Sequence, residues 1–285
     1  MRFASGEASA PATSKGEHPA EPSLFPLLSH APWLAPTAVV SGALASGAVA
    51  ARSDWPLPLA MAALLALAWV ALWHMIADLN WRAPLAVWQS WGEGAPIGAL
   101  PYAQPDSEAA YLSRRLGQLR NWLERAFLPR YGNLLLAGAM TVAVAAVLSA
   151  ALGPAAILLT IAAACIAQVA VVACRGNGQP SGLLMGATAV GLPMLLGCAV
   201  FAPISPAIVL VSSAAAAAFA GVRDESPALR HAGYALAVLT SLTVREPVAA
   251  FMWAILWAPQ LILGLRHGGY GWLAAGLLMF AVVVA

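Results

Sequence analysis

Long apolar runs fill most of this chain and constrain its fold more than any other feature. They cover nine stretches of the sequence: 32–51, 55–77, 132–152, 154–174, 180–202, 204–222, 229–244, 247–265 and 269–285. A helix needs about 20 apolar residues to cross the hydrocarbon core of a bilayer. Charged residues make up only 9% of the chain, against about 25% in soluble proteins. The sequence therefore predicts an all-α, polytopic membrane helical bundle with about nine transmembrane helices.

Proline and glycine separate several of these runs. Gly153-Pro154, Pro203 and Glu246-Pro247 each lie between consecutive apolar stretches. Proline is tolerated in the first turn of a helix and disfavours helix in the residue before it. These sites are therefore predicted to be tight turns between neighbouring helices. The seventh run is short for a full crossing.

The distribution of lysine and arginine predicts the orientation, because cytoplasmic loops of membrane proteins are enriched in these residues. With nine spans and a cytoplasmic N-terminus, the external side receives only Arg52 and Arg245. The cytoplasmic side receives all the others: Arg2, Lys15, Arg82, Arg114, Arg115, Arg120, Arg125, Arg130, Arg175, Arg223, Arg230 and Arg266. We therefore expect a protein of the inner (plasma) membrane with an external C-terminus. Its cytoplasmic loops would be 78–131, 175–179, 223–228 and 266–268.

The N-terminal residues differ from the rest of the chain. They contain no apolar run and are rich in Pro, Ser, Glu and Ala, a composition that favours disorder and does not match a cleavable signal peptide. We therefore divide the chain into a disordered cytoplasmic tail, residues 1–30, and a transmembrane helical domain, residues 31–285. The net charge of +2 belongs to the loops and does not indicate a nucleic-acid partner.

The loop at 78–131 is predicted to end in an amphipathic helix with Asp106 as its N-cap. An apolar stripe recurs at helical spacing, and four polar residues lie opposite it: the stripe is Leu112, Leu116, Leu119, Leu123 and Phe127, and the polar residues are Arg114, Arg115, Gln118 and Arg125. Such a helix suits the membrane interface beside anionic headgroups. The alternative is a helix packed on the cytoplasmic ends of the other helices. Both alternatives place it over the cytoplasmic mouth of the bundle.

Small residues recur in the fifth run. Gly178, Gly182 and Gly186 are spaced four residues apart, and Gly191 and Pro193 follow. This spacing allows helix backbones to approach closely within a membrane. We expect close helix packing here; a cleft for a lipid-like ligand beside this thin helix is the alternative.

Five tryptophans crowd around the end of the second run. Trp69 and Trp73 are one helical turn apart and are predicted to form a packing face. Trp81, Trp88 and Trp91 follow where the chain leaves the apolar run, and tryptophan is enriched at membrane–water interfaces. We therefore assign these three to the aromatic belt.

Polar residues gather where the second, fourth and sixth spans reach the cytoplasm. They form our candidate substrate-binding set: Asp78, Asn80, Arg82, Arg175, Asn177, Arg223, Asp224 and Glu225. Mg²⁺ prefers oxygen ligands and substrate phosphates, and arginine binds phosphate groups in a bidentate manner. Asp78 and Asp224 are therefore the candidate metal ligands. The alternative is that the whole set consists of interfacial anchors and helix caps.

Nine spans and polar cytoplasmic loops after the second and sixth helices resemble the UbiA-type prenyltransferase superfamily. Those enzymes carry an Asn-Asp-x-x-Asp-x-x-x-Asp motif after the second helix and a second Asp-rich motif after the sixth. The corresponding stretches here, ADLNWRAPLAVW and GVRDESPALRH, offer Asp78 with Asn80 and Asp224 with Glu225. The resemblance implies UbiA-like topology and a cytoplasm-facing cavity for an isoprenoid. If the activity is retained, it also implies Mg²⁺-dependent prenyl transfer.

The YwiC-like membrane proteins, relatives of similar layout, resemble the chain at three short motifs. Their His-Gly-Ala-Trp stretch is similar to SHAPW, with His30 and Trp33, and their Arg-x-Pro-Leu step is similar to Arg82, Pro84 and Leu85. GLLMGATAVGLP at 182–193 also looks similar, although the acidic residue of the family before the glycine is missing.

Two classes of function remain open at this stage. The first is a protein that binds or transfers an isoprenoid or other lipid-like substrate. The alternative is a non-enzymatic membrane subunit or assembly factor whose tryptophan-rich surface binds a protein partner or a pigment. A small-molecule permease is disfavoured, because only His74, Gln168 and Gln260 are strongly polar well inside the spans.

Overall fold

Helices account for nearly all of the structure that can be described. The computed structural model describes residues 33–49, 53–78, 86–88, 91, 107–173, 181–263 and 269–284, and within them it is all-helical without strands. Nine of its helices have twelve residues or more and are labelled in chain order: α1 (Leu34–Ala45), α2 (Pro56–Trp73, continued by a π-helical turn at His74–Asp78), α3 (Glu108–Leu152), α4 (Pro154–Ala173), α5 (Gly182–Phe201), α6 (Pro206–Arg223), α7 (Pro227–Thr243), α8 (Pro247–Leu263) and α9 (Gly269–Val284). The predicted all-α class is confirmed, whereas the predicted tail, residues 1–30, lies outside the described ranges.

The composition of the helices is that of an integral membrane protein. α2, α3, α5 and α6 are long and apolar enough to cross a bilayer. α4 is as long as α5 and is also apolar, and α1, α8 and α9 are shorter apolar helices. α7 is less apolar than its neighbours α6 and α8 because it carries Arg230 and His231 near its start. This agrees with the short seventh run of the sequence.

α1 is shorter than the predicted span 32–51. Its 12 residues rise only about 18 Å at 1.5 Å per residue, less than the ~30 Å hydrocarbon core. Gly47 ends the helix: it has φ 66°, a left-handed conformation that glycine adopts without strain. Its N–H donates to the Leu44 carbonyl at 2.9 Å. Ala48 and Val49 therefore do not extend α1, although both are apolar.

α3 joins two segments that the sequence analysis separated. The amphipathic helix and the third span, 132–152, form one continuous helix of 45 residues. Its N-cap is Ser107, not Asp106 as predicted, since the Ser107 hydroxyl accepts the Ala110 N–H at 3.2 Å. The predicted boundary between the loop and the third span, at residues 131 and 132, is therefore wrong, and the helix also continues through Pro129.

Two helices contain a π-helical turn that is followed closely by proline. Leu123–Phe127 precedes Pro129 in α3, and Ala187–Gly191 precedes Pro193 in α5. Proline has no N–H to donate and its ring clashes with the carbonyl four residues earlier. A π turn bonds each N–H to the carbonyl five residues earlier instead. The wider turn therefore lets both helices pass through a residue that normally breaks them.

α5 and α1 are in backbone contact in the middle of the bundle. A Cβ atom on Gly42 would overlap the Met194 carbonyl oxygen, and a Cβ atom on Gly197 would overlap that of Val39. Both overlaps are with backbone, which cannot rotate away as a side chain does. α1 and α5 can therefore cross this closely only because Gly42 and Gly197 have no side chain.

The predicted glycine stripe of α5 faces α6. A Cβ atom on Gly186 would overlap the Ala216 carbonyl oxygen, and one on Gly191 would lie 3.5 Å from the Ser212 carbonyl oxygen. The prediction of close helix packing is therefore confirmed for this part of the stripe. Gly178 lies outside the described residues.

The predicted tight turns at Gly153-Pro154 and Glu246-Pro247 are confirmed. Gly153 has φ 104° and Pro154 begins α4, while Arg245 has φ 66° and Pro247 begins α8. A positive φ reverses the chain direction, and proline fits the first helical turn because its missing N–H would have no partner there. One residue, Gly153, therefore separates α3 from α4, and three residues, 244–246, separate α7 from α8.

The predicted packing face of α2 is also confirmed. Trp69 and Trp73 are each 1% exposed, and His74 beside them is buried. The Trp69 Nε1–H donates to the Thr160 hydroxyl at 3.2 Å and so links α2 to α4. Trp81 of the predicted aromatic belt lies outside the described residues.

The helices alternate in direction, so the bundle has two ends. At one, which we call the Asp224 end, the start of α5 meets the end of α6 through Gly182 and Asp224. At the other, the Glu246 end, a cavity of about 120 Å³ lies between α1, α6 and α7, with Ala45, Ser205 and Glu246 in its wall. The candidate residues Arg223, Asp224 and Glu225 all lie at the Asp224 end.

Two Gly→Ala substitutions, one inside the α1–α5 crossing and one outside it, are predicted to have opposite effects on stability. Gly42→Ala should lower the free energy of unfolding by about 1–3 kcal/mol, because the methyl group overfills a backbone contact. A Cβ on Gly132 of α3 meets nothing within 4 Å, so Gly132→Ala should raise stability by about 0.5–1 kcal/mol. Thermal unfolding of the purified protein in mild detergent measures both. Equal effects of the two substitutions would contradict the close crossing.

Candidate functional site

The structure describes only part of the predicted site. Asn80, Arg82, Arg175 and Asn177 lie outside the described residues. Asp78 ends the π-helical turn of α2, but its side chain is not among those described. The predicted pairing of Asp78 with Asp224 therefore stays a prediction, and the described part of the site is the turn between α6 and α7.

That turn holds three charged residues in a fixed backbone conformation. Arg223 is the last residue of α6, Asp224 is its C-cap, and Glu225 has φ 52°. Ser226 then caps α7, with its hydroxyl accepting the Leu229 N–H at 3.4 Å. Hydrogen bonds at both helix ends thus fix the positions from which these charged side chains project.

Asp224 caps the N-terminus of α5 from another helix. Its Oδ2 accepts the Gly182 N–H at 3.0 Å, while Ser181, the N-cap of α5 by sequence, makes no side-chain capping bond. The first N–H groups of a helix lack internal partners and carry partial positive charge, so a carboxylate is favourable there. A Cβ atom on Gly182 would overlap the Asp224 carboxylate. Gly182 and Asp224 therefore form one interdependent contact.

This contact gives Asp224 a structural role beside its predicted metal role. The alternative interpretation of the polar set was that its members are interfacial anchors and helix caps. The hydrogen bond that Asp224 accepts from the Gly182 N–H shows that Asp224 is a helix cap. Among the residues that the structure describes, no three His, Cys, Asp or Glu side chains form a group that would hold a metal ion. The Mg²⁺ prediction depends on the Asp78 side chain and stays untested.

Two arginines lie within the bundle at the Asp224 end. The Nη1 atom of Arg223 is buried and has no hydrogen-bond partner in the described part of the chain. Arg230 is 9% exposed, and its backbone lies against Gly221, where a Cβ atom would overlap it. Burying part of a guanidinium group without a partner is costly. An anion at this end of the bundle would remove that cost for Arg223.

α7 and α8 share a polar and aromatic cluster next to these arginines, in which Tyr234, Trp253 and Gln260 are buried and His231 and Trp257 are half-buried. The Trp257 Nε1–H donates to His231 Nδ1 at 2.9 Å, and the Gln260 Nε2–H donates to the Tyr234 hydroxyl at 3.0 Å. Gln260 is 3% exposed, and its Oε1 atom has no hydrogen-bond partner among the described residues. The edge of Trp253 packs on Tyr234 with ring centroids 6.0 Å apart. The cluster therefore fixes α8 against α7 through hydrogen bonds as well as packing.

The sequence analysis identified Gln260 as a polar residue in a span but did not identify its partners. The available signal is a repeated spacing: His231 and Tyr234 are three residues apart on α7, and Trp257 and Gln260 are three residues apart on α8. Residues at that spacing share a helix face, so two matching pairs on consecutive helices predict two cross-helix contacts. His231 alone or Gln260 alone predicts neither of these contacts.

Comparisons of this chain with protein-family models, with curated proteins and with solved structures found no match.

The capping role of Asp224 predicts a difference between two substitutions. Asp224→Ala removes the acceptor and should lower the free energy of unfolding by about 0.5–2 kcal/mol. Asp224→Asn keeps an equally good capping oxygen and should therefore retain nearly all of the wild-type stability. Glu225→Gln, which changes the next carboxylate along the chain, is the control and should have no effect. Thermal or SDS-induced unfolding measures all three. Equal losses for the Ala and Asn variants would show that the charge, not the capping bond, matters.

Proposed function

We propose that this integral membrane protein binds a lipid-like molecule with a phosphate-bearing headgroup, of the isoprenoid class, at the Asp224 end of the bundle. Nine membrane spans of UbiA-like topology and a cytoplasmic Asp224 end belong to the proposal. The arginine asymmetry of the sequence supports that orientation, since nine alternating spans leave only Arg52 and Arg245 on the external side.

The observation that carries the proposal is the buried, unpartnered Nη1 atom of Arg223. A guanidinium group donates hydrogen bonds in a planar fork that matches phosphate oxygens. Arg223 is half-buried at the end of a membrane helix, where a headgroup would lie while its chain extends between apolar helices. Arg230 adds a second, buried positive charge one turn into α7.

The surroundings of α5 and α6 suit a ligand with a long apolar part. These two helices are in close contact at Gly186 and Gly191, so the hydrocarbon chain would lie beside this pair of helices. The large side chains buried nearby, such as Phe219 and Met185, are apolar. A hydrocarbon chain is compatible with such surroundings, whereas a polar solute would find few hydrogen-bond partners.

Binding, rather than transfer, is the step that the described residues favour. Prenyl transfer would require Mg²⁺ to neutralise the leaving diphosphate, with Asp78 and Asp224 as its ligands. One oxygen of Asp224 already accepts the Gly182 N–H, and this bond stabilises the fold whether or not a metal is bound. Arginine contacts to a phosphate require no metal.

Arg223→Gln tests the proposed headgroup contact. Hydrogen bonds to a charged group contribute about 1.5–3 kcal/mol, so the substitution should weaken binding of farnesyl diphosphate by about 10-fold to 100-fold. The full-length protein in lipid nanodiscs would be titrated with radiolabelled farnesyl diphosphate. Inorganic pyrophosphate serves as a second probe, which separates the contribution of the headgroup from that of the chain.

Arg245→Gln is the matched control, because it makes the same change at the Glu246 end. It should leave the affinity for farnesyl diphosphate unchanged. Wild-type protein that binds neither probe, or an Arg223→Gln variant that binds as tightly as the wild type, would contradict the proposal.

A further inference from the structure

The first twenty residues of α3 form an arm, residues 108–127, on which three leucines are exposed. Leu112 is 58% exposed, Leu116 is 54% exposed and Leu123 is 37% exposed. They lie four and seven residues apart and so share one face of the helix. On the same face Leu119 is half-buried and Phe127 is buried. Contiguous exposed apolar surface of this kind marks a site of interaction with a membrane or another protein.

α3 is too long to lie wholly within a bilayer along its normal. Its 45 residues extend about 68 Å, whereas the hydrocarbon core is ~30 Å thick and the headgroup regions bring the bilayer to ~45 Å. The apolar part, 132–152, is sufficient for the crossing. The arm therefore begins where the helix leaves the hydrocarbon core, which places its leucine stripe beside the bilayer surface.

The charge of the arm is opposite to that of an anionic membrane. Residues 108–127 contain four arginines and two glutamates, Glu108 and Glu124, which gives a formal charge of +2, and Arg130 follows directly after the arm. Arg114 and Arg125 lie on the helix face opposite the leucines. Arg120 and Glu124 pair at 2.8 Å on its exposed flank, and such exposed pairs contribute little to stability.

The junction between arm and span departs from regular α-helical geometry. The π-helical turn Leu123–Phe127 is followed by Pro129, so the regular pattern of backbone hydrogen bonds is interrupted within one and a half turns. Kinks in long helices occur at π-bulges and at proline. This junction therefore permits the arm to rotate from the axis of the span toward the bilayer plane.

We propose that the arm docks on the anionic lipid surface at its own end of the bundle, with Leu112, Leu116 and Leu123 inserted at the level of the acyl-chain boundary. The arginines of the opposite face lie among the phosphate groups. Amphipathic helices with this division of leucine and arginine bind membranes through both buried apolar area and attraction to anionic lipids. The bend occurs at residues 123–129.

A second copy of the chain would be the alternative partner for the leucine stripe, but the charges beside the stripe disfavour such a dimer. The leucines at 112, 116, 119 and 123 follow the 4-3-4 spacing of a coiled-coil seam. They span fewer than two heptads, whereas a stable coiled coil needs about three or four. Arg115 and Arg120 flank the seam at the positions that face each other across a parallel pair. Two like charges there would repel.

Spin-label accessibility in the full-length protein tests the docking. Nitroxide labels are placed by Leu116→Cys on the stripe and Arg114→Cys on the opposite face, in a chain whose Cys165, Cys174 and Cys198 are replaced by alanine. In phosphatidylglycerol nanodiscs, the label at 116 should collide several-fold more with oxygen than with a water-soluble nickel complex. The label at 114 should show the reverse preference. In phosphatidylcholine nanodiscs, the contrast between the two sites should shrink.

A charge variant tests the electrostatic attraction in phosphatidylglycerol nanodiscs. It combines Arg115→Gln, Arg120→Gln and Arg125→Gln, and it should also reduce the contrast between the two labelled sites. Preferential collision of both labels with the nickel complex would overturn the proposal, because the arm would then stand in water. Equal contrast in the two lipids would overturn the assignment to anionic lipid. Dipolar broadening of the label at 116 would show a second copy on the stripe instead.

Discussion

The contact of α5 with α1 and α6, backbone against backbone, is the constraint on which the rest of the structure depends. In a bilayer, lipid chains are as apolar as leucine side chains, so helices associate through close van der Waals packing rather than through removal of apolar surface from water. Gly42 and Gly197 permit one crossing, and Gly186 permits the other. Any larger residue at one of these three sites would push its Cβ atom into a backbone carbonyl group of the facing helix. α5 can therefore keep its position only with glycine there.

This central position of α5 determines the chemistry of the Asp224 end. It brings the N-terminus of α5 to the turn after α6, where Asp224 accepts the Gly182 N–H. The same turn carries Arg223, whose buried Nη1 atom has no partner among the described residues. The carboxylate therefore holds two helices together, whereas the neighbouring cation is the group that the proposed function assigns to an anionic headgroup. This division is why we propose phosphate recognition by arginine rather than metal ligation by aspartate.

Much of the architecture could be predicted from the sequence because membrane helices are specified by local composition. The apolar runs and the proline turns predicted most helix boundaries to within two residues, and Trp69 and Trp73 are buried as expected. The continuity of α3 could not be predicted, because a proline after a leucine stripe normally ends a helix and the π-helical turn that accommodates it has no sequence signature. The bond from Gly182 to Asp224 joins residues 42 positions apart, and its geometry depends on the packing of α5 rather than on either local sequence.

The most direct test of this account is whether α6 crosses the membrane, since the Asp224 end and the Glu246 end must then lie on opposite sides. Glu225→Cys places a thiol in the turn after α6, and Ile204→Cys places one in the exposed turn before it. With the native cysteines replaced by alanine, a membrane-impermeant maleimide should label position 204 in intact cells and position 225 only in inverted vesicles. Labelling of both positions from the same side would contradict the account.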